Sequence, residues 1–186
     1  MSIFVGARDL NGLVVGTHQF IVVTYKSVGI NIEFGNSSIQ SRVLGGGTYG
    51  IVIGAQNRGK LVVEAFESAD FAATKEYFGA VDTKWYKSDY DAQLVKVDFG
   101  ETPELEVKRR VLYRINNYIL NQTIDPINYP ALGFGVNSNS WVQSVLKYAG
   151  GRVDTNMKGF DLSHSKTIPR TYFDPICPVK RRVRVN

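Results

Sequence analysis

The chain has 186 residues, 44% hydrophobic and 21% charged, with a formal net charge of +5. That is enough apolar material for one domain with a sizeable core, and it excludes global disorder. Four positive charges (Lys180, Arg181, Arg182 and Arg184) fall in the last seven residues; removing those four from +5 leaves +1, too little on the body for the broad basic face that nucleic acid requires.

The single cysteine, Cys177, excludes an intrachain disulfide and a multi-cysteine zinc site. No basic region followed by a long apolar run opens the chain, and no stretch has the length of a membrane span. The expectation is a protein made in the cytoplasm without a cleaved signal, any export depending on a dedicated secretion system.

Residues 1–12 are mixed, with a turn at Asp9–Gly12. Leu13 to Tyr25 is rich in β-branched and aromatic residues and reads as a buried strand containing His18. Gly29 to Phe34 reads as a second strand, with Asn31 and Glu33 on one face by alternation. Gly35 to Ser38 is turn chemistry. Tyr49 to Ala55 is a third strand, and Asn57–Lys60 a hairpin turn into Leu61 to Phe66. Residues 13–66 thus predict an antiparallel meander of about four strands.

Asp70 to Phe78 is compatible with a short helix or a loop, and Thr83 to Tyr90 with a cover over the sheet. Gln93 to Phe99 alternates as a strand. Thr102-Pro103-Glu104-Leu105-Glu106 is a helix start, and Val107, Val111, Ile115, Tyr118 and Ile119 form its apolar stripe to about Leu120. Asn128 to Gly135 is a loop, loosened by Gly133 and Gly135. Asn137 then caps a helix with apolar Trp141, Val142, Val145, Leu146 and Ala149, closed by Gly150-Gly151. Residues 151–175 carry few regular signals, and Pro178 to Val185 alternates like an edge strand. The order predicts a single α+β domain over 1–186: an antiparallel β-meander sheet with two main helices packed on one face, a core of about 13–150, and an irregular C-terminal extension over 151–186 with a basic tail.

Metal and cofactor chemistry find little support. His18 and His164 are far apart, with no ligand-like spacing to carboxylates. Gly45-Gly46-Gly47 lacks the Lys-Ser/Thr of a phosphate loop and reads as a flexible turn. The acid pairs Glu64/Glu67 and Asp89/Asp91 read as solvated surface.

The candidate chemistry lies at the helix opened by Asn137. Ser138 and Ser140 sit in its first turn, where unpaired N–H groups and the helix dipole favour developing negative charge. They lie about 200° apart around the helix, so only one of them readily faces His18. A nucleophile, a histidine base and a third group orienting the imidazole form an acyl-transfer site. Asn31 or Glu33 is the candidate third group, and Asn137 and Asn139 are candidate cap and oxyanion residues.

The order Thr17-His18-Gln19-Phe20-Ile21-Val22, meander, then Asn137-Ser138-Asn139-Ser140-Trp141-Val142 opening a helix resembles circularly permuted NlpC-type papain-like domains, in the arrangement of lecithin–retinol acyltransferase-like proteins. The match covers roughly residues 13–150. In that group a strand histidine precedes a helix-opening Asn-Cys-x-x-aromatic-aliphatic motif. The resemblance places His18 on the base, Ser138 on the cysteine nucleophile and Trp141-Val142 on the aromatic-aliphatic pair. The chain departs by carrying serine, which depends on its base more than a thiol does. It is also similar to C-terminal domains of bacterial polymorphic toxins with a Gly-x-Asn-Ser-Asn-Ser/Thr-aromatic segment. These resemblances imply an acyl-transfer hydrolase cleaving an amide in peptidoglycan peptides and acting as a bacterial effector, with an immunity protein or secretion-system carrier as partner and no cofactor. A lipid ester or thioester hydrolase or acyltransferase, and a catalytically silent binding module, are the alternatives on the same scaffold.

Overall fold

The computed structural model describes residues 2–10, 16–80, 91–130, 135–152 and 166–176. The fold is α+β. Its main sheet is six-stranded and antiparallel, built from β1 (Ile3–Asp9), β2 (Thr17–Tyr25), β5 (Arg42–Gly45), β6 (Thr48–Asn57), β7 (Leu61–Ala65) and β8 (Gln93–Lys96). The spatial order is β5-β6-β2-β1-β8, with β7 also paired to β6. Two further strands, β3 (Asn31–Phe34) and β4 (Ser37–Gln40), form a separate two-stranded hairpin.

The helices are α1 (Ser68–Ala80), α2 (Glu104–Gln122) and α3 (Ser138–Ala149), followed by a 3-10 turn at Arg170–Tyr172. Alternation along the central strands sorts the core into two layers. Val5, Ile21, Val23, Ile51 and Ile53 meet Val111, Ile115, Trp141, Val145 and Leu146 of α2 and α3. Phe20, Val22 and Val52 meet Leu44 and Ala73 on the opposite face, which α1 covers. The two main helices, α2 and α3, thus pack on one face as expected, and α1 adds a layer on the other. The α1 segment has weak amphipathic periodicity in sequence, but its Ala73 and Thr74 are fully buried.

The strands depart from a consecutive meander because residues 1–12, read as mixed with a turn at Asp9–Gly12, supply β1, which pairs with both β2 and β8. The seven residues of β1 carry little local signal, and long-range pairing on both edges determines them. The space for the Phe20 ring comes from Gly6 directly across the pair; a Cβ at Gly6 would lie 2.2 Å from that ring. The segment read as turn after Gly35 continues into β4 and β5. Gly45-Gly46-Gly47 is a turn with all three φ values positive, but its role is close packing: a Cβ at Gly46 would lie 2.4 Å from the Phe78 carbonyl oxygen of α1.

Helix α2 starts one residue later than its sequence suggests. Pro103 occupies the cap position without a side-chain cap, and the Thr102 N–H closes a turn onto the Phe99 carbonyl. The stripe Val107, Val111, Ile115, Tyr118 and Ile119 is buried as expected. Ile168 and Phe173, from a segment with few regular signals, are also fully buried. Arg114, Asn117 and Asn121 of α2 hold that segment through the Phe173, Tyr172 and Asp174 carbonyls and the Asp174 carboxylate. The expected features at 11–15, Thr83–Tyr90, Gly133, His164, Cys177 and Pro178–Val185 lie outside the described residues.

Candidate active site

The start of α3 follows its sequence closely. Asn137 has extended backbone angles, and its side-chain oxygen accepts from the N–H groups of Asn139 and Ser140. Gly150, at φ 87°, closes the other end. The Asn139 and Ser140 N–H groups are thus engaged by the cap. Ser138 N–H, by contrast, has no hydrogen-bond partner among the described residues. Asn137→Ala is expected to lower stability by about 1 kcal/mol, read as a fall in the urea midpoint; an unchanged midpoint would show that the double cap does not support α3.

The helix start is fastened to the strand that carries His18. Asn139 Oδ1 accepts from Gln19 N–H, and Asn139 Nδ2 donates to the Thr17 carbonyl, at 2.9 and 3.0 Å. Ladder pairing between β2 and β6 begins only at Phe20–Gly54. Asn139 thus serves as strand partner on both sides of His18, where the two strands no longer pair. Gln143, further along α3, donates to Gln19 Oε1 at 2.9 Å. Asn139 is fully buried and clamps the helix start to the strand.

His18 itself is buried. Its side chain shares the α1 face of the sheet with Phe20, whereas the body of α3 packs on the other face. His18 Nε2 lies 3.0 Å from Asp70 Oδ2 in the first turn of α1. Arg8, paired directly with His18 across β1 and β2, donates from Nε to Asp70 Oδ1 at 2.7 Å. Gln56 Nε2 donates to Asp70 Oδ2 at 2.8 Å. A small residue at 54 is required: a Cβ on Gly54 would approach Asp70 Oδ2 to 2.6 Å and His18 Nε2 to 3.2 Å. Burial pushes the Asp70 carboxyl upward, but the charges and hydrogen bonds of His18 and Arg8 outweigh it and hold the group below its ordinary value. Among the described residues, His18 Nδ1 has no hydrogen-bond partner.

Ser138 is buried, and its hydroxyl donates to Asn139 Oδ1 at 3.3 Å; it makes no hydrogen bond to His18. Ser140 Oγ donates to the Gly135 carbonyl. Asn31 and Glu33 do not orient the imidazole. They lie on the exposed face of the β3–β4 hairpin, where Asn31 accepts from Gln40, and they border a groove against α2. Correct alternation put them on one face, but β3 left the main sheet. Asp70 takes that position at His18. The sequence signal for it was slight: an acid whose i+3 and i+4 neighbours, Ala73 and Thr74, are small enough to face a core. Glu67, read as solvated surface, caps α1 by accepting from Ala69 and Asp70 N–H. Glu64 is a surface partner of Arg58.

No group of three or more His, Cys, Asp or Glu able to hold a metal occurs among the described residues. Among the same residues, no helix is long and apolar enough to cross a membrane. Fold and site together define an α+β domain with a buried Arg–Asp–His cluster on one face of the sheet and a capped helix start pinned to the strand that carries the histidine. No protein-family model, curated protein or solved structure matches the chain.

Proposed function

We propose that the chain is an acyl-transfer hydrolase of permuted papain-like type, cleaving an amide bond through Ser138, His18 and Asp70. The observation that carries the reading is the clamp of Asn139 on both backbone neighbours of a histidine whose Nε2 faces a carboxylate and whose Nδ1 is unpartnered among the described residues. Asp70 orients the ring and stabilises the imidazolium, and Nδ1 is left to act as base. The reaction requires the Ser138 hydroxyl to turn from Asn139 Oδ1 to Nδ1 of His18; Oγ then attacks the acyl carbon and its proton passes to Nδ1. Ser138 N–H, at the helix start, receives the oxyanion. The imidazolium returns the proton to the leaving amine, and water releases the acyl group by the same route.

The resemblance favours peptidoglycan peptides as substrate and a bacterial effector as the biology, with an immunity protein or secretion-system carrier as partner. Incubating purified sacculi with the chain and analysing the released products by mass spectrometry tests this. New amine and carboxyl termini at peptide cross-links or stems are expected. Release of fatty acid from lipid ester or thioester probes instead would move the substrate to the lipid class.

The second reading, a catalytically silent binding module, is favoured by the Ser138 hydroxyl being turned to Asn139. Ser138→Cys separates the two. A helix N-terminus and a histidine base lower a thiol's pKa, so the thiol introduced by Ser138→Cys is expected to react with iodoacetamide faster than Cys177. A slow reaction at that position in a folded protein would give the silent module the lead.

A further inference from the structure

The cluster contains one charged residue that the proposed reaction does not use. Arg8 is buried, and it reaches Asp70 Oδ1 while His18 and Gln56 converge on Oδ2. We propose that Arg8 is a positioning residue that holds His18 as a neutral imidazole with its proton on Nε2, leaving Nδ1 as the basic nitrogen. This rests on the proposed hydrolase reading for its purpose, but not for its test.

The argument is one of charge and lone pairs. The Asp70 side chain is 1% exposed, so its negative charge requires an adjacent positive one. With Arg8 absent, the nearest group able to supply it is the imidazole, which would take up a second proton and cease to be a base. The Arg8 contact removes that demand. It also fixes the carboxylate in one orientation, since Oδ1 is committed to the guanidinium. The tautomer then follows. A carboxylate oxygen 3.0 Å from Nε2 accepts only if Nε2 carries hydrogen. The 3.2 Å approach of Gln56 Nε2 to His18 Nε2 is that of two donors sharing Oδ2. Glu67, ahead of α1, is a further charged group at the cluster, 3.7 Å from Arg8 Nη2, and Asp9 follows Arg8 on β1. Gln56 on β6 and Thr74 on α1 are neutral, and the Thr74 hydroxyl is bonded to the Asp70 carbonyl. Arg8 is thus the permanently charged cation nearest the Asp70 carboxylate beside His18, shared at longer range with Glu67.

The chain has two histidines, so imidazole nitrogen spectra by NMR are readily assigned with a His164→Gln control. In the unaltered protein at pH 8, where an ordinary histidine is neutral, His18 is expected to show a protonated Nε2 and an unprotonated Nδ1. In Arg8→Met the doubly protonated signature is expected to be present at that same pH. Arg8→Lys, which keeps the charge, is expected to stay close to the unaltered protein. A proton on Nδ1 in the unaltered protein would overturn the proposal. So would Arg8→Met with unchanged His18 signals, or, should Arg8→Met not fold, Arg8→Lys showing imidazolium at pH 8. None of these outcomes depends on hydrolysis, so failure of the reaction assignment and failure of this inference are read separately.

Discussion

His18→Ala and Ser138→Ala are each expected to lower peptide release from sacculi by about 10⁶-fold, and the double variant no further. Base and nucleophile act as one unit: without Nδ1 the serine hydroxyl has no acceptor for its proton, and without the hydroxyl the base has no proton to take. The folded state should survive Ser138→Ala, and His18→Ala leaves Asp70 bonded to Arg8 and Gln56. Ser138 Oγ makes one long hydrogen bond, to Asn139, and the clamp on β2 uses only Asn139 atoms and strand backbone. Circular dichroism and urea midpoints check that point beside the product analysis. Losses that multiply in the double variant would show that the two residues act independently, and the dyad would be withdrawn. Ser140→Ala is the control; its hydroxyl is bonded to the Gly135 carbonyl away from the strand.

Asp70→Asn is expected to be the most damaging single change to stability, costing about 3–5 kcal/mol. The substitution keeps the shape but leaves the buried Arg8 side chain, 8% exposed, with only the longer 3.7 Å contact to Glu67 as a counter-charge. It also asks the amide to receive donors on both of its ends. Arg8→Met with Asp70→Asn removes both charges and should cost less than the sum of the two single changes, which a double-mutant cycle in urea measures. Additive losses would mean that the pair is not coupled. The same cluster sets an acid limit. The Asp70 carboxyl is held below its ordinary value in the folded chain. Its contribution is therefore complete above the ordinary carboxylate range and is lost as pH falls through the lowered folded value. Urea midpoints taken at decreasing pH should fall more steeply for the unaltered protein than for Asp70→Asn.

The sequence was most informative where a segment's own pattern determines it. Asn137, the apolar spacing from Trp141 to Ala149 and Gly150 define α3 because capping and helical periodicity are local properties, and the structure has that helix from Ser138 to Ala149. The stripe of α2 and the core strands β2 and β6 were legible for the same reason. His18 stood out because an imidazole in an apolar strand needs a partner.

What the sequence left open is which segments meet. Two strands were readable as β3 and β6, but only pairing energies across the whole sheet decide that β2 lies between β1 and β6 while β3 turns away with β4. That choice removed Asn31 and Glu33 from the imidazole and brought in Asp70, 52 residues from His18 along the chain. Arg8 and Gln56 joined because strand parity places them, with Gly54, on the face that α1 covers. No local rule ties an arginine in a weakly patterned strand to an aspartate in a helix of low amphipathicity. Their attraction is strong only once both are withdrawn from water, and that desolvation is a property of the assembled sheet and helices.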